Sequence, residues 1–336
     1  MTVNNYLALK TTAFIILNYN NYEDTLNCIE SVECYNTAPI KLIVVDNGST
    51  RHGTVESLKR YIEEKYAGRY LHLDDEELSV KVSSSLVTLP YATFIESSSN
   101  DGYARGNNKA LRLIEKDAEV EYVMILNNDV LFVQDIISKL VEKYEQLKDV
   151  AILSPILYKH GMKELDLNCA RLNTTLKMEL TYNFGCYLFQ LLHITNPYLK
   201  SRYLIRDEYN LLPLIEIELP SGSCMFIRKS LFRTMGFFDP NTFLYNEENI
   251  LFKKVEWMRM KNYLVTDLKC IHLGAKSTSI SPNLFSLNCS IDSSRYYMKN
   301  YANLSSWQYR LFILSQYFCK ACFKLQKKVW SLFSKD

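Results

Sequence analysis

The sequence lacks an apolar run long enough to cross a bilayer. A spanning helix needs about 20 consecutive apolar residues, and the run near the start, Ala13-Phe14-Ile15-Ile16-Leu17, stops far short. The first residues are polar, so no secretory signal is expected. The chain also lacks a strong excess of one charge. Its 39 Lys and Arg against 37 Asp and Glu leave a net charge of +2. A nucleic-acid binder normally carries a marked basic excess, so no nucleic-acid partner is expected. A disulfide framework is missing as well. Nine cysteines, an odd number, are scattered along the chain, which fits reduced thiols and a cytoplasmic location. Cys319-Lys320-Ala321-Cys322 is a lone C-x-x-C with no second pair, a poor zinc or redox motif. No internal repeat is evident.

What is present is an ordinary globular composition. Of 336 residues, 48% are hydrophobic and 23% charged, enough for one large or two modest domains. Tyr is frequent, with 24 residues. A ring with a hydroxyl suits sugar contacts, although packing accounts for most of them.

The first half alternates strands and helices. Residues 13–17, 41–45, 93–95, 122–126 and 151–153 read as buried strands. Helical spacing is expected over 24–32, 54–66, up to about 117, and 134–147. This alternation predicts an α/β fold with a mostly parallel, Rossmann-like sheet flanked by helices. Residues 67–90, with acidic Asp74 to Glu77, read as an inserted loop or hairpin. Residues 156–219 have no legible pattern and are assigned to the acceptor side. Ser223 to Ile227 reads as a sheet-edge strand, with helices at 229–235 and 247–260 and a strand at 263–266. The division expected is a catalytic domain over 1–280 and a helical extension over 281–336. Within the catalytic domain, about 10–150 would be the nucleotide half and 151–280 the acceptor half.

Polar residues sit at the carboxyl end of each early strand: Asn18/Asn20, Asp46/Asn47, Asn100/Asp101 and Asn128/Asp129. In an open α/β sheet those ends share one rim, where ligands bind. Each cluster alone is also a good turn sequence. A diphosphate leaving group needs its charge neutralised, which a hard cation held by carboxylate oxygen does. Asp129 is placed for that, with Asn128 able to reach a ribose or a coordinated water. His272 follows a strand and is a second candidate ligand. Asp46 and the Asn47-Gly48-Ser49 turn would meet the nucleotide. Glu247 and Glu248 open a helix, where acids favour the dipole. Either could instead be a general base, its pKa raised by apolar neighbours.

Taken in order, these segments resemble the family 2 glycosyltransferases with the GT-A fold, over about Phe14 to Ser277. The strongest pieces are Asn18-Tyr19-Asn20, Val44 to Ser49, Asn100 to Asn108, Leu126 to Asp129, Gly236 to Asp239 and Phe243 to Glu248. The resemblance implies that Asp46 contacts the base and that Asn127 to Asp129 form a D-x-D-like motif with Asp129 as metal ligand. It implies that Asn100, Gly102, Asn107 and Asn108 line the cleft, with Arg105 near the phosphates. Gly222 and Ser223 would border the donor sugar. Glu248 would be the base, His272 would complete the metal or diphosphate site, and the anomeric centre would invert. Three positions depart from the pattern: Asn127 stands for the first Asp, as in rhamnosyltransferase-like members; Glu248 stands for an Asp; and Ile250 replaces a further acid.

Trp307 to Phe333 reads as an amphipathic helix. Leu311, Leu314, Phe318, Cys322, Leu325, Val329 and Phe333 form a stripe, opposed by Lys320, Lys324, Lys327 and Lys328. Such a helix suits either an anionic membrane surface or packing on the domain. The expected function is transfer of a sugar from a UDP- or dTDP-sugar to a glycan or lipid-linked acceptor in surface polysaccharide synthesis. It would use Mg²⁺ or Mn²⁺ and act in the cytoplasm, peripheral on the inner membrane face. A sugar-nucleotidyltransferase is the rival enzyme. It would need a Gly-rich loop after the first strand, where this chain has Asn18-Tyr19-Asn20-Asn21-Tyr22-Glu23. A non-catalytic glycan-binding or scaffold protein on a transferase fold is the rival outside enzymes.

Overall fold

The computed structural model describes residues 10–191, 202–205, 207, 211–274 and 284–333. Its centre is a ten-stranded sheet. Strands β1 (Thr11–Asn18), β2 (Ile40–Asp46), β3 (Tyr70–Leu73), β4 (Ala92–Glu96) and β5 (Val120–Asn127) are all parallel, in the order β3-β4-β2-β1-β5. Helices α1 (Tyr22–Tyr35), α2 (Thr54–Lys65), α3 (Asp75–Ser83) and α4 (Gly102–Ile114) connect them.

Strand side chains alternate between the two faces, so a strand covered on both sides must be apolar throughout. Phe14, Ile16, Leu42 and Val44 pack with Cys28, Ile29 and Val32 of α1 and Leu58 and Ile62 of α2. Ala13, Ile15, Ile43 and Val45 pack with Ala104, Ala110, Leu111 and Ile114 of α4 on the other face. Two cores thus clamp β1 and β2, and their carboxyl ends are rigid where the site begins.

The second half is mixed. A short β6 (Val130–Phe132) follows β5 directly, then α5 (Ile137–Gln146) and β7 (Val150–Tyr158). After β8 (Ala170–Arg171) and α6 (Leu176–Leu191) come β9 (Leu214–Ile217), β10 (Leu219–Pro220), β11 (Cys224–Arg228), α7 (Lys229–Thr234), α8 (Glu247–Trp257) and β12 (Lys261–His272). The sheet continues β5-β11-β7-β12-β6, with β9 also on β12. Two helices close the described chain, α9 (Leu284–Asn300) and α10 (Ser306–Phe333).

Several expectations change. Residues 67–90 are not a loop: β3 extends the parallel sheet, and α3 follows under an Asp74/Glu77 capping box. The acidic patch is the cap and first turn of that helix. Strand 223–227 is not at an edge but lies between β5 and β7. Its full burial from Cys224 to Ile227 reflects that interior place. Helix α4 starts at Gly102, so Arg105, Asn107 and Asn108 are helical. Residues 156–219 contain α6, whose weak amphipathic pattern hid it. The proposed boundary at 280 lies outside the described residues.

Ile250 explains part of how the extension is held. It is 1% exposed and packs with Tyr297, Met298 and Phe312 of the last two helices. An acid there would be buried without a partner.

Candidate functional site

The site begins with a pairing no local pattern encodes. After β5 the chain turns at Asn128-Asp129 and β6 pairs antiparallel with the end of β12, Val130 opposite His272. Leu273 N donates to Asp129 O at 2.9 Å. The two expected ligands therefore meet, with His272 Nε2 3.4 Å from Asp129 Oδ2. Asp166 Oδ2 takes the other ring nitrogen, Nδ1, at 2.7 Å. Asn168 N and Nδ2 donate to Asp166 Oδ1. A ligand histidine is commonly oriented this way by a carboxylate on its far nitrogen. Burial pushes the His272 pKa down, but hydrogen bonds and charge from Asp129 and Asp166 outweigh it and lift it to about 10. Burial would raise Asp166, and the hydrogen bonds of His272 and Asn168 hold it below the usual carboxylate range.

The residues present fit a divalent cation. Asp129 is 6% exposed, and its Oδ1 is buried with no hydrogen-bond partner. An orphaned carboxylate oxygen is costly unless something charged completes it. Among the described residues no group of three or more His, Cys, Asp or Glu is arranged to hold a metal ion by itself, and Asp166 is on the far nitrogen of His272. The protein's own donors are then Asp129 and His272, and diphosphate and water oxygens would fill the remaining positions.

The donor rim is tied to itself. Asn18 Nδ2 donates to Asp46 Oδ1 at 2.7 Å, and Ser49 N and Oγ bond the same carboxylate. Asp46 is 0% exposed, so its carboxylate lies under the rim. Asn20, at φ 58°, accepts from Thr50 N and Arg51 N and locks the first two loops together. Asn128 Nδ2 points inward, to Asn21 O and Thr25 Oγ1 at 3.0 Å. Asn47 Nδ2 bonds Asn100 Oδ1 and Gly102 O. Gly102 has φ 79°, and a Cβ there would lie 2.2 Å from Phe243 O. Asn107 Nδ2 donates to Tyr103 O. Asn108 clamps the Phe238 backbone from both sides, and Arg105 Nε donates to Pro240 O. Arg105 and Asn108 thus hold the 236–246 loop that leads into α8, whereas Asn107 bonds within its own helix.

That loop delivers the carboxylates. A cavity of about 600 Å³ runs from Asn127, Ser223 and His272 past Gly222 and Glu248 to α6, α9 and α10. Glu248 Oε1 accepts from Arg171 Nη2 at 3.0 Å and Gly222 N at 3.1 Å. A Cβ on Gly222 would meet that oxygen at 2.8 Å, so glycine permits the approach. Both bonds fall on Oε1, which leaves Oε2 for an incoming hydroxyl. Glu247 is more deeply set, 6% exposed with Oε1 unpartnered. Burial first, and then the Glu248 charge, push its pKa up to about 8. Tyr103 hydroxyl donates to Gly222 O at 2.6 Å. Burial and the two glutamates raise its pKa well above normal. Asn127 Nδ2 reaches Ser223 Oγ at 3.3 Å, and Ser223 Oγ sits 3.3 Å from His272 Nε2.

The sequence matches a known family. The sequence profile described as Glycosyl transferase family 2 matches residues 13–236. The chain belongs to this family. One curated relative is the "Low-salt glycan biosynthesis hexosyltransferase Agl10" of Haloferax volcanii, 26% identical over 241 residues. That match covers 71% of this chain and 60% of the relative, so the chain spans well under the whole of that protein. A solved structure titled "Crystal structure of GalNAc-T7 with UDP, GalNAc and Mn2+" superposes with a TM-score of 0.57. It is 12% identical and covers 88% of this chain and 49% of the other, a likeness of fold alone. The fold is GT-A-like.

Sequence reasoning passed over Tyr103, Asp166 and Arg171 as site residues. Tyr103 lay inside a quoted motif. Asp166 and Arg171 lie in the segment without periodicity, and only the pairing of distant strands places them beside His272 and Glu248.

Proposed function

We propose that this chain moves a sugar from a UDP- or dTDP-sugar to a hydroxyl of a glycan or lipid-linked acceptor, with inversion, in surface polysaccharide synthesis. One observation carries the reading. His272 and Glu248, the latter held against Gly222, line a single cavity, and the orphaned carboxylate of Asp129 lies behind it, 3.4 Å from the His272 ring. Mn²⁺ or Mg²⁺ held by Asp129 and His272 would neutralise the diphosphate charge, and the imidazole favours Mn²⁺. Glu248 Oε2 takes the proton of the acceptor hydroxyl as its oxygen attacks the anomeric carbon. The bond from that carbon to the diphosphate breaks, and the nucleoside diphosphate leaves with the electron pair. Arg171 and Gly222 N keep the carboxylate aimed. Asn127 and Ser223 border the donor, and Asn127 is the rhamnosyltransferase-like feature. The test is a thermal-shift and hydrolysis panel of UDP-, dTDP- and GDP-sugars with and without Mn²⁺. A Mn²⁺-dependent shift and slow sugar release are expected with a UDP- or dTDP-sugar. Silence from every nucleotide overturns the proposal.

The same proposal places the protein on a membrane face. The apolar stripe of α10 is not its packing face. Phe312, Ser315, Gln316 and Cys319 are buried, whereas Leu314 is 61%, Tyr317 59% and Leu325 54% exposed. Phe318 meets Phe184 of α6, both partly open. On the same helix Lys324 is exposed and Lys320 half-buried. The rest of the stripe, Val329 and Phe333 with Lys327 and Lys328, falls among side chains outside those described. Tyr182, at the cavity, lies two residues before Phe184 on α6, so one helix borders both the cavity and this patch, which supports a lipid-linked acceptor. Co-sedimentation with anionic vesicles tests it. Retention in the supernatant, at any anionic content, overturns it. No helix among the described residues is long and apolar enough to cross a membrane.

A further inference from the structure

The far end of the cavity holds polar groups that the chemistry at Glu248 does not use. Glu179 of α6 lines it, with Arg202, Ser290 and Ser294. Glu179 is deep in the molecule, yet its side chain keeps accessible surface because it borders the cavity. Burial raises its pKa, and Ser294 and the charge of Arg202 pull the other way. Ser294 is 4% exposed, and its Oγ makes no hydrogen bond of normal geometry although it lies beside Glu179. A buried hydroxyl without a well-aligned partner, on a residue that lines the cavity, is an unmade bond. The wall itself is firm: Asn183 Nδ2 donates to Ser315 Oγ at 3.0 Å, joining α6 to α10. Gln316 Nε2 bonds Ile291 O, and its Oε1 accepts from Arg295, joining α10 to α9. Tyr182, 43% exposed, also lines the cavity.

We infer that Glu179 and Ser294 form an acceptor subsite that reads the ring hydroxyls of a sugar, so the acceptor presents a glycosyl unit to this cavity. A carboxylate has two oxygens spaced for adjacent hydroxyls, a serine hydroxyl can donate or accept, and an aromatic face covers the C–H side of a pyranose. Apolar aglycones would leave Glu179 and Ser294 desolvated and unpaired, which rejects them. This rests on the transferase reading above and sharpens it by naming the acceptor class. These residues touch the acceptor away from the reacting atoms, so they set specificity.

The test uses the full chain with UDP and Mn²⁺. Saturation-transfer NMR is run with methyl glycosides of glucose, galactose, mannose and N-acetylglucosamine, and UDP binding is followed separately by thermal shift. At least one glycoside is expected to bind the wild type. Glu179→Gln should weaken it about tenfold and Glu179→Leu more, with the UDP shift unchanged. Should Glu179→Leu melt early, Ser294→Ala decides, with several-fold weaker glycoside binding expected. Wild-type binding in a folded Glu179→Leu or in Ser294→Ala overturns the inference, as does a wild type that binds no glycoside. A missing UDP shift with glycoside binding intact strikes the donor reading alone.

Discussion

On the β1–β4 side of the sheet, Asn18, Asn20, Asp46, Asn47 and Asn100 bond one another and neighbouring loops. On the side built by β8, α8 and α9, Arg171 Nε, Glu247 Oε1 and Ser294 Oγ are buried and bond nothing with normal geometry. Asp129 Oδ1, unpartnered at the junction, belongs with the second set. These five rim side chains are paired before any ligand arrives, so they can hold a shape at no further entropic cost. The second side is incomplete, and its unpaired atoms gain most when substrate supplies their partners. The difference separates a positioning rim from a reacting wall.

Asp129→Ala strikes the junction and should have the largest effect. A loss of turnover on the order of 10³-fold is expected, with the Mn²⁺-dependent thermal shift abolished. Normal Mn²⁺ response in this variant would place the cation elsewhere. Glu248→Gln should lower transfer by roughly 10²- to 10³-fold with UDP binding retained, read by single-turnover assay. Equal loss of UDP binding would move Glu248 from the reacting wall to the donor rim. Ile250→Ala should destabilise by about 2–4 kcal/mol in urea unfolding, because it empties the contact between α8 and the last helices. Asp166→Asn should weaken Mn²⁺ affinity about 10- to 100-fold by calorimetry, since it only orients His272. An effect below twofold would show that His272 needs no such support.

The smallest effect is a pH slope. Glu247 has a folded pKa raised to about 8 from 4.5. The native state therefore binds the proton more tightly than the unfolded chain. Stability from this group is complete below the unfolded value and is lost as pH rises through 8. Glu247→Gln should flatten the fall in melting temperature between pH 5 and 9. A parallel pair of curves would mean that Glu247 titrates normally.

The alternation of apolar strands with amphipathic helices made β1, β2, β4, β5 and their rim legible, because each depends on neighbours close in sequence. So did the turn chemistry at Asp46-Asn47-Gly48 and the helix opening at Glu247. The order of residues also put Asn and Asp at strand ends. Which of these face a ligand was not legible: Asp46 and Asn128 prove to be bonded inward, and Arg105 and Asn108 hold a loop. β3 and α3 were missed because a four-residue strand and a capped nine-residue helix carry little periodicity.

The chain's own pattern determined a parallel α/β layer with a polar rim, since period and turn preference are local properties. Tertiary structure alone decided the rest: the β6–β12 pairing brings residues 129 and 272 together, and the approach of β8 and α6 sets Arg171 and Glu179 on the cavity. Those contacts join segments scores of residues apart, where no local preference acts and only the closing of the sheet chooses the partner.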